Sequence, residues 1–247
     1  MSKVSVTCVE EGIFQLKLND VENQNRLSDE LVDDVLAALA LLRVEATLKV
    51  LILAGREQIF CAGATLETLY QLSQGKKEAK ELSLPNELLS FPVPVIGALQ
   101  GAAVGGGLTL ALCCDMLVAA ESRRYGVNFT NMGFTPGLGT TKLLPALVGH
   151  HFASEMMLSG KLYKGRELKG RGLFNYIVKA DTVMPVALDL ARRIAEKPRY
   201  VIEMLKETLS LARRQALAEA TSREHLMHEI CFAHPETIAL IEATYIG

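Results

Sequence analysis

The sequence predicts an α/β protein: a parallel-type sheet layered with helices, continued by a helical C-terminal third. Apolar runs of strand length, such as "KVLILAG" and "PVPVIGALQG", alternate with segments whose apolar residues recur at helical spacing. The runs are continuously apolar, as expected of strands buried on both faces. With 247 residues, the chain is long enough to bury a sizeable core.

Each element can be justified in order. "VSVTCVEEGIFQLKLN" holds two β-type runs broken at "EEG", a hairpin signal. "LSDELVDDVLAALALLRVE" begins with Ser28 as a cap candidate and spaces Leu31, Val35, Leu39 and Leu42 along one helical face. "KVLILAG" is a buried strand ending at Gly55. A second unit follows, with "PVPVIGALQG" as strand, "GGLTLALCCD" as helix and "MLVAA" as strand. From about Ala146 the strand signals thin out. "HHFASEMMLSG", "PVALDLARRIAEK" and the long segment from "YVIEMLKETL" to "HEICF" read as helices, with Pro198 preceding the last.

Composition excludes several classes. Lys and Arg number 26 against 28 Asp and Glu, a formal charge of −2, so there is no basic field for a nucleic acid or an anionic membrane. "MSKVSVTCVEEG" reaches acidic residues before any apolar run of signal-peptide length, and no window resembles a membrane span, so a cytoplasmic protein is expected. The five cysteines form no CxxC pair and are expected to be reduced, inert core thiols.

Two glycine-rich turns could carry chemistry. "FCAGAT", Phe60 to Thr65, follows a buried strand with small residues that let backbone N–H groups approach a ligand. Gly105, Gly106 and Gly107 in "QGAAVGGGLTLALCCD" open a helix and present free N–H groups there. Converging, the two turns would form an oxyanion hole for a thioester enolate; singly, each is only a tight turn. Dinucleotide and P-loop motifs are absent.

In order, "FCAGAT", "PVIGALQGAAVGGGLTLALCCDMLVAAESRRYG" and "GFTPGLGTT" resemble the crotonase, or enoyl-CoA hydratase/isomerase, superfamily. The resemblance covers essentially the whole chain. It implies a crotonase-type ββα spiral over residues 1–190 and a C-terminal helical trimerisation region over 191–247. It also implies that the Ala64 and Gly106 N–H groups hold the thioester oxygen, beside Ala62, Gly63 and Gly105. Hydratases of the family carry two glutamates where this chain has Thr109 and Phe129, and neither of these can act as a general base.

A narrower resemblance, carried by "NFTNMGFTPGLGTT", "AEKPR" and "EHLMHEICFAHPE", is to the decarboxylating crotonases of polyketide β-branching cassettes. It implies loss of CO2 from a 3-methylglutaconyl-type thioester on an acyl carrier protein or CoA. A second buried carboxylate there would repel the substrate's own. His228 matches the subfamily's histidine and is the expected proton donor, with His225 and His234 as flanking residues. His150 and His151 precede a helix and read as surface or cap residues. Relatives supply a lysine, and some a tyrosine, from the helix after the first oxyanion loop; an ungapped match puts Leu72 and Thr68 there. Tyr70, Lys76, Lys77 and Lys80 lie nearby and are the candidates. Asn128, flanking Phe129, is expected to contact substrate or to satisfy turn backbone, as is Thr130. Pro136 and Gly137 are expected to shape the pocket wall. No metal or redox cofactor is expected, since the phosphopantetheine arm arrives with the substrate. The expected assembly is a homotrimer or a dimer of trimers. The alternatives are an acyl-CoA isomerase or hydratase, and a catalytically silent interaction subunit.

Overall fold

The computed structural model describes residues 2–75 and 80–246. The chain opens with β1 (Val4–Glu10) and β2 (Ile13–Leu18), the antiparallel hairpin signalled by "EEG". Helix α1 (Asp29–Arg43) starts where the Ser28 hydroxyl accepts the Leu31 N–H, and it buries Leu31, Val35, Leu39 and Leu42. Strands β3 (Val50–Ala54) and β4 (Ile59–Cys61) lead into α2 (Leu66–Ser73) and α3 (Leu84–Leu89). The pattern repeats with β5 (Val95–Leu99), β6 (Ala102–Val104) and α4 (Gly106–Leu112). It repeats again with β7 (Met116–Ala120), β8 (Arg124–Gly126), α5 (Thr140–Val148) and α6 (His150–Ser159). The remainder comprises β9 (Tyr163–Lys164), β10 (Tyr176–Val178), α7 (Val183–Ala195), α8 (Arg199–Ala233) and α9 (Pro235–Ile246).

From β3 onward, each ββα turn sends its two strands to different sheets. One sheet has the order β1-β2-β3-β5-β7-β10, parallel from β2 onward, and the other the order β4-β6-β8-β9. The continuous apolar runs are explained by what covers each face. Val50, Ile52 and Ala54 pack with Ile96, Ala98 and Val118 against Val183, Ala187 and Ala191 of α7. Their neighbours Leu51 and Leu53 face the larger core together with Val95 and Leu99.

Sequence expectation and structure differ at several points. Strands continue past Ala146, where their sequence signals thin out: β10 extends the main sheet beside β7, and its three half-exposed residues are too few to show a period. The chain forms a further helix after "HEICF", with Pro235 at its first position. His150 and His151 begin α6 and do not precede it, although both are exposed. The boundary expected at residue 190 falls inside α7. Cys61, Cys113 and Cys114 are buried core thiols, and burial pushes the first two up to about 12, whereas Cys8 is exposed.

Helix α8 is pinned to the main sheet by charge. Buried Lys206 donates to both Asp115 oxygens at 2.7 and 2.8 Å, and Asp115 also accepts the Val95 N–H at 2.8 Å. Among the described residues, no helix is long and apolar enough to cross a membrane.

Candidate active site

The two glycine-rich turns meet because α4 starts directly against β4. A Cβ on Gly107 would fall 2.1 Å from the Cys61 carbonyl oxygen, so only glycine permits this approach. It brings Gly63 beside Gly106: a Cβ built on Gly63 would lie 3.6 Å from the Gly106 nitrogen. The Gly63 carbonyl accepts the Leu27 N–H at 2.8 Å. That bond fixes the Gly63–Ala64 peptide plane, and the trans peptide turns the Ala64 N–H the opposite way. As the first residue of α4, Gly106 has no intrahelical acceptor. Among the described residues, no backbone carbonyl takes the N–H of Ala64 or Gly106.

Both residues line a cavity of about 1460 Å³. Ala62, Gly63, Gly105, Asn128, Phe129, Gly137 and His228 line it too, so residues scattered over most of the sequence share one space. Its wall near Phe129 is apolar, with Phe134 at 5.7 Å ring separation and Met132 and Leu138 adjoining.

His228 enters this wall from α8. Its ring packs edge-on to Phe134 and Phe232, and Gly137 has no room for a side chain beside it, since a Cβ there would fall 2.6 Å from His228 Cε1. Nε2 lies 2.7 Å from the Thr135 carbonyl oxygen. A carbonyl only accepts, so Nε2 carries the proton and Nδ1 is the free nitrogen of the neutral ring. Burial lowers the pKa of His228 below the ordinary imidazole value, opposed by the Thr135 carbonyl and the Glu224 carboxylate.

Other expected residues lie elsewhere. Tyr70 is not on the cavity wall; its hydroxyl donates to Glu242 Oε1 at 2.7 Å on the surface. Leu69, Leu72 and Ser73 form the cavity face of α2, and one helical step of about 100° carries Tyr70 off it. Pro136 is buried in its turn and does not line the cavity, although Gly137 does. Thr130 donates to the Met157 carbonyl at 3.0 Å and serves the backbone. Lys76 and Lys77 lie outside the described residues, as does the side chain of Lys80. His225 sits at the cavity edge, 3.5 Å from Glu229, and His234 caps α8.

Thr109 stands behind the wall. Its hydroxyl lies 2.7 Å from that of Thr140, which donates to the Gly137 carbonyl at 2.7 Å. This chain of bonds ties α4 to the turn that carries Gly137.

Three residues at the cavity escaped the sequence reading. Glu224 is buried and accepts the N–H groups of Gly139 and Thr141 at 2.7 and 2.9 Å, capping the start of α5. Its spacing of four from His228 on one helix was the available signal. Arg26 and Tyr245 both reach the Ala64 carbonyl, at 3.2 and 2.8 Å, and nothing local in the sequence marks either.

A two-sheet ββα spiral whose two glycine-rich turns open on one cavity defines the class of fold, and the chain belongs to the enoyl-CoA hydratase/isomerase family, whose model matches residues 9–241. Among particular relatives, it is 34% identical to the bacillaene synthase decarboxylase PksI of Bacillus subtilis, over 99% of this chain and 98% of that protein. It superposes with TM-score 0.96 and 33% identity on a structure from a dehydratase/decarboxylase enzyme couple involved in polyketide β-branching, covering both chains completely. The ECH2 decarboxylase domain of CurF from Lyngbya majuscula gives TM-score 0.94 and 31% identity over 99% of this chain and 100% of that one.

Proposed function

We propose that this protein is a crotonase-superfamily decarboxylase of polyketide β-branching. Its substrate is a 3-methylglutaconyl-type thioester on an acyl carrier protein or CoA, and its product a 3-methylcrotonyl-type thioester. The observation that carries this reading is the make-up of the wall around the paired amides. Phe129 and His228 line it, and Glu224, the buried carboxylate at the cavity among the described residues, is committed to the start of α5.

The chemistry needs an electron sink and a proton. Heterolysis of the C–CO2 bond leaves its electron pair on a dienolate, whose charge spreads onto the thioester oxygen. The Ala64 and Gly106 N–H groups hold that oxygen and stabilise the charge more in the transition state than in the bound substrate. Phe129 contributes an apolar surface and no competing charge. The thioester itself is the sink, so the reading calls on no cofactor.

His228 balances the charge. The substrate anion favours protonation at Nδ1, and departure of neutral CO2 leaves an imidazolium facing a dienolate. Burial makes that imidazolium a stronger acid than it would be in water. It returns its proton to carbon and becomes neutral again, so one proton is consumed for each CO2 released.

Mass spectrometry of a 3-methylglutaconyl-carrier protein incubated with the purified protein tests the reading. Loss of a CO2 mass is expected. Gain of water would make the protein a hydratase, a shifted double bond at constant mass an isomerase, and unchanged bound thioester a silent subunit.

A further inference from the structure

We infer that Glu224 is a positioning residue: it holds the turn of residues 135–141 so that the Thr135 carbonyl stays on His228 Nε2 and Nδ1 is left to handle the proton; this rests on the decarboxylase reading above. Leu217, Glu224 and His228 lie along one stripe of α8, and all three meet that turn. Glu224 Oε2 accepts the Gly139 N–H at 2.7 Å, and Oε1 accepts the N–H and the hydroxyl of Thr141 at 2.9 and 2.6 Å. At the other end of the turn, the Thr135 carbonyl accepts from His228 Nε2 at 2.7 Å. Between the two anchors, the Gly137 carbonyl accepts both the N–H and the hydroxyl of Thr140, at 3.1 and 2.7 Å.

The turn needs such an anchor. Leu138 has φ +60° and Gly139 φ +85°, and the left-handed region disfavours a side chain as bulky as leucine. Leu138 lines the cavity, so relaxing its backbone would move the wall on which the His228 ring rests. The turn has no room to slide: a Cβ on Gly139 would fall 2.6 Å from Leu217 Cδ1, and one on Gly137 2.6 Å from His228 Cε1. Strain of this kind persists only where the surroundings impose it. Here a buried carboxylate with three donors does so.

A helix cap alone does not call for this arrangement. A Ser, Thr, Asp or Asn just before α5 would cap it locally, whereas the residue there is Gly139 and the cap comes from 85 residues away. A buried carboxylate is costly unless fully bonded, and this one ties α5 to the helix that carries His228. Glu224 and His228 are four residues apart, about 6 Å along a rigid helix axis. The distance from anchor to ring is thereby fixed, and with it the tautomer, because a carbonyl held at Nε2 accepts only from Nε2–H. The Glu224 charge also favours the imidazolium that departure of CO2 leaves. His225, three residues back on α8, opposes it, and Phe134, Phe232 and Gly137 around the ring do not titrate.

The primary readout needs no substrate. Nitrogen NMR of isotope-labelled histidines at about pH 8, where imidazole is neutral, reports the tautomer, with the His228 signals identified by their loss in His228→Gln. The wild-type ring is expected to carry its proton on Nε2 with roughly tenfold preference, the range for one hydrogen bond. Glu224→Gln, whose amide oxygen accepts one N–H where the carboxylate accepts two, is expected to reduce that preference at least about threefold. In the reaction it is expected to lower kcat roughly 10- to 100-fold with KM within about threefold, as for a slightly misplaced proton donor, and to give mixed double-bond isomers. If Glu224 is only a helix cap, Glu224→Gln will melt earlier yet keep the tautomer, the kcat of the folded enzyme and a single isomer; that result overturns the assignment. So does a wild-type ring protonated on Nδ1. Should Glu224→Gln not fold, Glu224→Asp, which keeps the charge and withdraws it by one methylene, is expected to shift tautomer and isomers the same way, and an unchanged tautomer there also overturns the assignment. CO2 release by wild-type protein is scored separately, so a failed reaction assignment cannot be mistaken for a failed Glu224.

Discussion

His228 sets two expectations at the scale of single residues. Replacing it with alanine is expected to lower net product formation by about 10²- to 10⁴-fold, the range for a positioned acid or base. Thioester binding at the Ala64 and Gly106 amides should persist, and the residual product should contain mixed double-bond isomers because water delivers the proton less selectively. Wild-type rate with a single isomer from His228→Ala would make the ring a packing residue. The second expectation concerns stability. The folded pKa lies below 6.5, so between those values the unfolded chain binds more protons. The stabilising contribution of the neutral ring is therefore complete above about pH 6.5 and fades as pH falls toward the folded value. Urea midpoints of wild type and His228→Gln should show a steeper acid-side loss for wild type, and parallel profiles would contradict it. Thr109 behaves differently from a lost catalytic residue. Because it stands behind the wall, fully buried and bonded to Thr140, Thr109→Glu is expected to prevent soluble folding rather than to restore hydration of a double bond. Soluble, hydrating Thr109→Glu would refute this.

At the scale of elements, α8 supplies the site by being held in place at two points. One is the Lys206–Asp115 pair with Arg213 3.5 Å away, and the other is Glu224 on the start of α5. Removing Lys206 leaves Asp115 with a partly buried charge and only the more distant Arg213. Lys206→Ala is therefore expected to cost about 3–5 kcal/mol in chemical denaturation; a loss below about 1 kcal/mol would show that apolar packing alone seats α8. Most of these elements were readable from period and caps. The uniform apolar runs gave β3, β5 and β7, and Ser28 gave the start of α1. The short strands β9 and β10 were not, because two or three residues carry no period. Within α2 the sequence offered Tyr70 and the direction of the helix face withheld it.

At the scale of the whole molecule, α8 leaves apolar side chains uncovered: Leu205 is 56% exposed, Leu209 66% and Leu226 59%. A single chain does not normally leave such a surface in water. The expected assembly is a trimer or a dimer of trimers that buries it, and sedimentation at micromolar concentration should show that mass. The double variant Leu205→Glu, Leu209→Glu should shift the protein toward monomer. A wild-type monomer would remove the assembly.

The sequence by itself determined what local chemistry encodes. Continuous apolar runs specified strands buried on both faces, helical spacing specified α1 and α8, and small residues after two strands specified where backbone amides would be exposed. The replacements at Thr109 and Phe129 argued against hydration, and the resemblance carried by the motif around His228 implied decarboxylation. Tertiary structure alone decided how distant segments meet. It set Gly107 against Cys61, turned Thr109 away from the cavity, and placed Tyr245 on a carbonyl 181 residues away in sequence. It also brought Arg26 to the same carbonyl and Glu224 to α5. The physical reason is that a period of 2 or 3.6 residues records which face of one element is buried, whereas a close approach depends on the shapes of two elements at once.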